Sequence, residues 1–420
     1  MVAAELGNEV YDFHAFLPMF PNATAYLQWV APLLKARGPI TRMSVPVPPC
    51  PSFYNEACWG GPQTLLAAWY DNISTVAKRS AGALVAGSSS FGAVTAHHYR
   101  PTVHEINCTL TGGCMYAGNE GLSSQLSSRA TNLTDNDFAS VMMVYPSVTL
   151  GAAARAWRRD FPGRQLLITE FEMQWPSYSP PLDDSAVGRF VHNAVNSGSH
   201  ACFYAAAILA ALDSGGVIGS INHHALGAGE PGWGLMDLTP KGGVGFNAVA
   251  QMMSHLSALA TESHTSAHRV NVSGGVTLGP LVVDSVKDLP GLQAAALSDG
   301  VGSGGVVLLV LNRAQSPVAC TVDLGLLPSQ SDIRAGEEGE PVLAGRTVSY
   351  LAGDRGGWFT VDAAAAAAPL PWPGPMQATV RPLRLTRRRQ QVEDSTSTWA
   401  GLTVPALSFT IVELSALPVA

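Results

Sequence analysis

The chain has 420 residues, 47% of them apolar and 13% charged, with a formal net charge of -7. That length exceeds what one ordinary core holds and predicts two domains. The low charge and its negative balance exclude the basic stripe that a nucleic-acid backbone would need. The longest apolar run, Ala201 to Leu212, is too short to cross a bilayer.

Val2 to Glu9 reads as the end of a strand. Thr24 to Arg37 has helical spacing interrupted by Pro32, and Leu65, Leu66, Trp69, Ile73 and Val76 predict a helix that ends near Ser80. Two short apolar runs follow, Gly82 to Gly87 and Ala93 to His98, with only Ser88 to Gly92 between them. A parallel crossover needs at least ten residues, so either one run is not a barrel strand or a helix is missing. Leu150 to Arg159 is helical in composition and Pro162-Gly163 stops it. Gln165 to Thr169 is apolar without alternation, as expected for a strand covered on both faces, and it delivers Glu170.

Asp184 or Ser185 can cap a helix ending near Gly198. Ala201 to Leu212 is expected as the next strand, and Val244 to Ala260 as a last helix. This alternation of helix and strand predicts an α/β fold, the C-terminal part of a (β/α)₈ TIM barrel over residues 1–260. From residue 261 to 420 the pattern turns to short β-rich runs: Val276 to Val283, Leu292 to Leu297, Gly305 to Asn312, Val318 to Leu324, Ala378 to Leu385 and Leu407 to Leu414. They predict an all-β antiparallel sandwich. Asp362 to Pro375, with its poly-alanine tract, reads as a low-complexity insertion, and Arg387, Arg388 and Arg389 as a solvated face.

Asn-x-Ser/Thr sequons begin at Asn22, Asn72, Asn107, Asn132 and Asn271, and each is a glycosylation acceptor only in the secretory route. Cys50 with Cys58 and Cys108 with Cys114 form close pairs suited to small disulfide loops, whereas Cys202 and Cys320 lie in apolar segments and are expected in a core. Both features point to an oxidising compartment.

A retaining glycosidase needs two carboxyl groups, one to attack the anomeric carbon and one to protonate the leaving oxygen and then activate water. In barrels such groups end strands, where the loops converge on one pocket. Glu9 ends Glu5-Leu6-Gly7-Asn8-Glu9 and Glu170 ends Leu166-Leu167-Ile168-Thr169-Glu170. Asn8 can hydrogen-bond a sugar hydroxyl beside the reacting carbon. Glu172, two residues on, is the rival nucleophile, and the strand-end pattern favours Glu170. The histidines show no metal-ligand spacing, and no Gly-x-Ser-x-Gly frame is present, so neither a metal nor another cofactor is expected.

Leu6-Gly7-Asn8-Glu9 and Ile168-Thr169-Glu170 resemble the acid/base and nucleophile motifs of clan A glycoside hydrolases. Within that clan, Val94-Thr95-Ala96-His97-His98-Tyr99 is similar to a segment of heparanase-like β-glucuronidases, and the Gly-Asn-Glu motif with an appended sandwich is shared by α-L-arabinofuranosidases. The resemblance implies Glu9 as acid/base, Glu170 as nucleophile, and Asn8, His97, His98 and Tyr99 lining the sugar subsite. His223, His224 and Trp233 would frame the pocket after the last barrel strand, Trp233 stacking on a sugar face.

Clan A barrels build three strands before the Asn-Glu motif, which this chain reaches at Asn8. The chain is therefore expected to be a fragment or an incomplete gene model, its missing part holding those strands and a signal peptide. Two functions follow. One is a secreted or vacuolar retaining glycosidase acting on a cell-wall or matrix polysaccharide, with a uronide or arabinofuranoside as leading substrate. The other is a non-catalytic carbohydrate-binding or structural remnant of such an enzyme.

Overall fold

The computed structural model describes residues 2–6, 20–36, 41–48, 63–79, 91–102, 135–174, 197–227, 234–238, 244–262, 266–298, 306–323, 342–352, 378–388 and 398–415, together with 10 and 106 and without 280, 282, 284 and 285. Two compact units make up the chain. The first comprises Met1–Arg100, Ser147–Gln174 and Asp213–Ala225, and the second comprises Pro101–Pro146, Trp175–Leu212 and Leu226–Ala420.

The first unit is built on β1 (Val2–Glu5), α1 (Ala23–Ala36), β2 (Thr41–Pro46), α2 (Gln63–Arg79), β3 (Ala93–Thr102), the later part of α3 (Asp135–Asp160) and β4 (Gln165–Gln174). After α4 (Gly198–Asp213), β5 (Ile218–His223) completes a five-stranded sheet in the order β1-β2-β3-β4-β5. The pairs β1–β2, β2–β3 and β4–β5 are parallel. Asn22 caps α1 by accepting from the Ala25 amide at 3.0 Å, and Tyr26 and Val30 of α1 are fully buried. Tyr26 packs on Trp69 of α2 with ring centroids 5.5 Å apart, and the Trp69 indole donates to the Pro46 carbonyl at 3.4 Å. These contacts seat both helices on the sheet.

Helix α3 carries Pro146 inside it, and the division between the units falls there. Its end is fastened to α2: the Tyr70 hydroxyl donates to Asp160 Oδ2 at 3.1 Å, Ser74 to the Asp160 carbonyl at 3.0 Å, and Lys78 pairs with Oδ1 at 3.5 Å. The neighbouring Arg159 guanidinium holds the Asp160 carboxyl below its usual range, against the opposing effect of burial. Phe161 then stacks on Trp157, and Gly163 at φ 72 turns the chain into β4.

Ala201 to Leu212, expected as a strand, is the helix α4. Almost the whole segment is buried, so no polar face marks the helical period, and an apolar run alone does not separate helix from strand. Its many alanines, the strongest helix formers, decide the outcome. Ser197 accepts from the His200 amide at 3.4 Å as the cap. The strand expected at this point of the chain is instead β5, delivered after Gly215 and Gly216, both at positive φ.

The second unit contains β6 (Ala225–Gly227), β7 (Gly234–Leu238) and β8 (Val244–Phe246), which form a small sheet, then α5 (Ala248–Glu262). The expected last helix starts four residues late because Val244–Phe246 pairs with β7 and Asn247 caps α5, accepting from the Ala250 amide at 2.9 Å. There follow β9 (Ser266–Arg269), β10 (Leu292–Ser298), β11 (Val306–Asn312), β12 (Val318–Asp323), β13 (Val342–Leu351), β14 (Thr379–Arg388), β15 (Thr398–Val404) and β16 (Ser408–Ser415). They form one eight-stranded sheet, ordered β12-β15-β14-β13-β16-β11-β10-β9, and every pair in it is antiparallel.

Residues of β12 and β15, at one edge, share an apolar cluster with β10 and β11 near the other: Val318 and Val322 pack against a cluster that includes Trp399, Leu402, Leu292 and Leu308. The sheet therefore folds over itself, giving a two-layered core from a single hydrogen-bonded sheet. Val276 to Val283, expected as a strand, forms isolated bridges among its described residues, Thr277 with Pro290 and Val283 with Val286. Cys202 is free and buried and Cys320 is free and partly buried, and burial pushes the Cys202 thiol up to about 12. Cys50, Cys58, Cys108 and Cys114, the sequons at Asn107 and Asn132, most of the helix expected before Gly198, the run Gly82 to Gly87 and the insertion 362–375 lie outside the described residues. Among the described residues no helix is long and apolar enough to cross a membrane.

Candidate active site

Strand alternation sorts the residues of β3. Thr95, His97 and Tyr99 share one face, and His98 takes the other. On β4, Glu170 and Glu172 share a face and Phe171 takes the other. The rings of His98 and Phe171 stack, centroids 5.5 Å apart, and His98 Nε2 lies 3.0 Å from Thr149 Oγ1 of α3. Burial, reinforced by the nearby Arg100 charge, pushes the His98 imidazole down to about 3.

His98 therefore stays neutral in the folded protein while the unfolded chain protonates it below about pH 6.5. The depressed value means that stability is intact above that pH and is lost as pH falls toward 3, by up to about 1.4 kcal/mol per pH unit. Urea unfolding of wild type and His98→Gln should show a steeper loss for wild type between neutral pH and about pH 4. Equal slopes would contradict a buried neutral imidazole.

On the opposite face the polar groups converge on Glu170. Its Oε2 lies 3.1 Å from His97 Nδ1 and 3.7 Å from His224 Nε2, and it accepts a hydrogen bond from the Tyr99 hydroxyl. His97 is nearly buried, with its side chain 4% exposed, whereas Glu170 is 21% exposed. The carboxylate is thus held in one orientation by groups from three positions in the chain, yet remains open to solvent. Tyr99 also meets His224 edge to face, 5.6 Å between centroids. Such a fixed, partly accessible carboxylate can attack an electrophilic carbon or accept a proton.

Beside it lie a second and a third acidic residue. Glu172 is wholly buried, its Oε2 3.3 Å from His223 Nε2 and its Oε1 accepting from the Met173 amide at 2.7 Å. Glu5, in β1, accepts from the Thr95 hydroxyl of β3 at 2.6 Å. Burial raises the Glu5 carboxyl above its usual range, against the lowering effect of Thr95 and His97. Flat neighbouring strands stand about 4.8 Å apart, so a side chain of β1 reaches β3 only if the sheet curves toward this face. The Tyr26 hydroxyl donates to the Leu6 carbonyl at 2.7 Å and holds the chain as it leaves β1.

Of the residues singled out from sequence, His97, Tyr99 and Glu170 come together, with His224 beside them. His98 is turned to the other face. Asn8, Glu9 and Trp233 lie outside the described residues. The sequence motifs did not single out Thr95 and Glu5 as site groups. Period-two alternation through Thr95, His97 and Tyr99 was the available signal for the first.

No protein-family model and no curated protein matches the sequence. Among solved structures, the chain is similar to a family 51 α-L-arabinofuranosidase from Bifidobacterium longum, with a TM-score of 0.53 and 17% identity over 98% of this chain and 66% of that one. At this identity the likeness is one of fold. A family 51 arabinofuranosidase from Xanthomonas axonopodis pv. citri matches at a TM-score of 0.45 and 12% identity, over 99% of this chain and 66% of that one. A family 44 endoglucanase from Clostridium thermocellum matches at 0.48 and 13%, over 99% and 66%. The chain thus spans about two thirds of the length of these structures.

Proposed function

We propose that the chain is a retaining glycoside hydrolase that cleaves O-glycosidic bonds of a cell-wall or matrix polysaccharide or glycoconjugate by double displacement. The observation that carries this is Glu170, within the parallel strand β4, with Tyr99, His97 and His224 gathered on one carboxylate oxygen. In this reading residues 1–260 form the C-terminal part of a (β/α)₈ barrel, a reading supported by the curvature that lets Glu5 reach Thr95, and residues 261–420 form the sheet domain.

Glu170 attacks the anomeric carbon while Glu9 protonates the leaving oxygen, and the glycosyl–Glu170 ester is then hydrolysed by a water that Glu9 deprotonates. Asn8 binds the sugar hydroxyl next to the reacting carbon, and Trp233 offers a face for stacking. Tyr99 and His97 orient the attacking carboxylate, so that its lone pair points along the reaction path and little reorganisation is needed at the moment of attack. A uronide and an arabinofuranoside are the leading substrates, and the sequons support secretion or delivery to a vacuole.

The test is hydrolysis of an aryl glycoside panel, including β-glucuronide and α-L-arabinofuranoside, by wild type and Glu9→Ala. Wild type should turn over at least one member. Glu9→Ala should be slow, with azide restoring turnover and giving a glycosyl azide of retained configuration, because azide needs no general base to attack the glycosyl ester. Failure of folded wild type on every member would overturn the enzyme reading in favour of a carbohydrate-binding remnant.

A further inference from the structure

The ladder between β4 and β5 is irregular where it carries Glu170. Ile168 pairs with Ile221 and Phe171 with His223, so β4 advances three residues while β5 advances two. The extra residue lies in the stretch that holds Thr169 and Glu170. Such an irregularity bends a strand and re-aims its side chains, and it interrupts the backbone pairing that would otherwise fix them.

Immediately past the irregularity stands the buried pair of Glu172 and His223. Glu172 Oε2 lies 3.3 Å from His223 Nε2, the two side chains being 0% and 3% exposed, and Glu172 Oε1 accepts from the Met173 amide at 2.7 Å. His223 is the last residue of β5, and the chain bends at His224. His224 then brings its Nε2 to 3.7 Å from Glu170 Oε2 and its ring to 5.6 Å, edge to face, from that of Tyr99. Two consecutive histidines thus meet two carboxylates of one strand. The inner contact is buried and the outer one is open, since His224 is 31% and Glu170 21% exposed. All of these residues belong to the first unit.

We propose that Glu172 and His223 are positioning residues for the reaction at Glu170: their buried contact fixes β4 to β5 just past the irregularity and so sets His224 against the attacking carboxylate. The contact is one peptide bond from His224 and two residues from Glu170, so loosening it moves both ends of the outer contact. Away from water the attraction between polar groups is stronger than at the surface, which suits the inner pair to hold the outer one. Double displacement gives Glu172 and His223 no bond to make or break, and the reaction they serve rests on the glycosidase reading. A carboxylate displaced by about 1 Å from its line of attack loses up to about a hundredfold in rate.

The experiment compares wild type, His223→Leu and the double variant Glu172→Met with His223→Leu. Hydrolysis of an aryl glycoside gives kcat and KM, and NMR of histidine-labelled protein gives the His224 ring signals, identified by their absence in His224→Gln. Leucine keeps much of the volume of histidine without its nitrogens. The kcat should fall about ten- to a hundredfold with KM little changed. The His224 ring signals, displaced in wild type by the Tyr99 ring, should move toward their values in the unfolded chain. A pair that serves folding alone predicts a lower denaturation midpoint with kcat and the His224 signals of folded protein unchanged, and that result would overturn the proposal.

His223→Leu takes this partner from a buried carboxylate and for that reason can fail to fold. The double variant then decides, because two apolar side chains of similar volume commonly replace a buried ion pair without loss of stability. Failure of the double variant to fold would make the pair a folding element, and the proposal is lost. Wild type that hydrolyses nothing sinks the glycosidase reading, and the His224 signals alone then decide whether the pair positions His224.

Discussion

Glu170→Gln is expected to lower kcat/KM by about four orders of magnitude or more, equivalent to about 5.5 kcal/mol of transition-state stabilisation. Gln is nearly isosteric and still offers an oxygen to Tyr99 and His97, so the fold and the surroundings of the side chain should persist. What disappears is the carboxylate that forms the glycosyl ester, and an amide is too poor a nucleophile to replace it. Substrate should bind to the variant with little change, so the loss should fall on kcat rather than on KM. Glu172→Gln separates the two carboxylates of β4. Glu172 is 0% exposed and packed against His223, without the solvent access an attacking group needs. Its substitution should not erase turnover in protein that remains folded, and the opposite ranking of the two variants would transfer the nucleophile to Glu172.

Part of this site was legible in the sequence because strands are marked by short-range patterns. The apolar run Leu166 to Ile168 marked β4, but the strand continues past Glu170 to Gln174, so Glu170 lies within it and not at its end. His97, His98 and Tyr99 were recognised as a group, but alternation divides that group: Tyr99 and His97 reach Glu170, while His98 stacks on Phe171. The line from Glu5 to Thr95 was not legible, since it joins residues ninety positions apart through the curvature of a sheet, which no local pattern encodes.

The strand β5 was hidden for a different reason. Ile218–His223 contains Gly219 and Ser220 and is short, and it follows the alanine-rich run of α4, whose apolar weight drew the strand expectation to itself. A Cβ at Gly219 would come within 3.1 Å of the Leu167 and Gln165 side chains of β4, a tight fit that those side chains would have to ease. The second unit shows the same division between local and distant information. Its interior strand β11 is buried throughout and was predicted from composition, whereas β13 and β15, more polar, became strands only by pairing with β16, β14 and β12.

That second unit depends on one buried cation, and Arg313→Ala should cost it about 3–5 kcal/mol. Arg313 is 1% exposed. Its Nε donates to the Met143 carbonyl at 3.0 Å and Nη1 to the Pro290 carbonyl at 3.2 Å, while Nη2 donates to Gln293 Oε1. Its own carbonyl accepts from the Ser140 hydroxyl at 2.8 Å. One guanidinium thus joins the early part of α3, the approach to β10 and β10 itself to the end of β11, and its planar array of donors suits acceptors in different directions. Alanine would leave two carbonyls and an amide oxygen without this donor and would open a cavity in their midst. Arg313→Lys keeps the charge but not the fork, so it should recover less than half of the loss. Urea denaturation followed by far-UV circular dichroism measures both variants; a loss below about 1 kcal/mol for alanine, within the range of an ordinary surface substitution, would mean that water replaces the guanidinium and that packing alone holds α3 to the sheet.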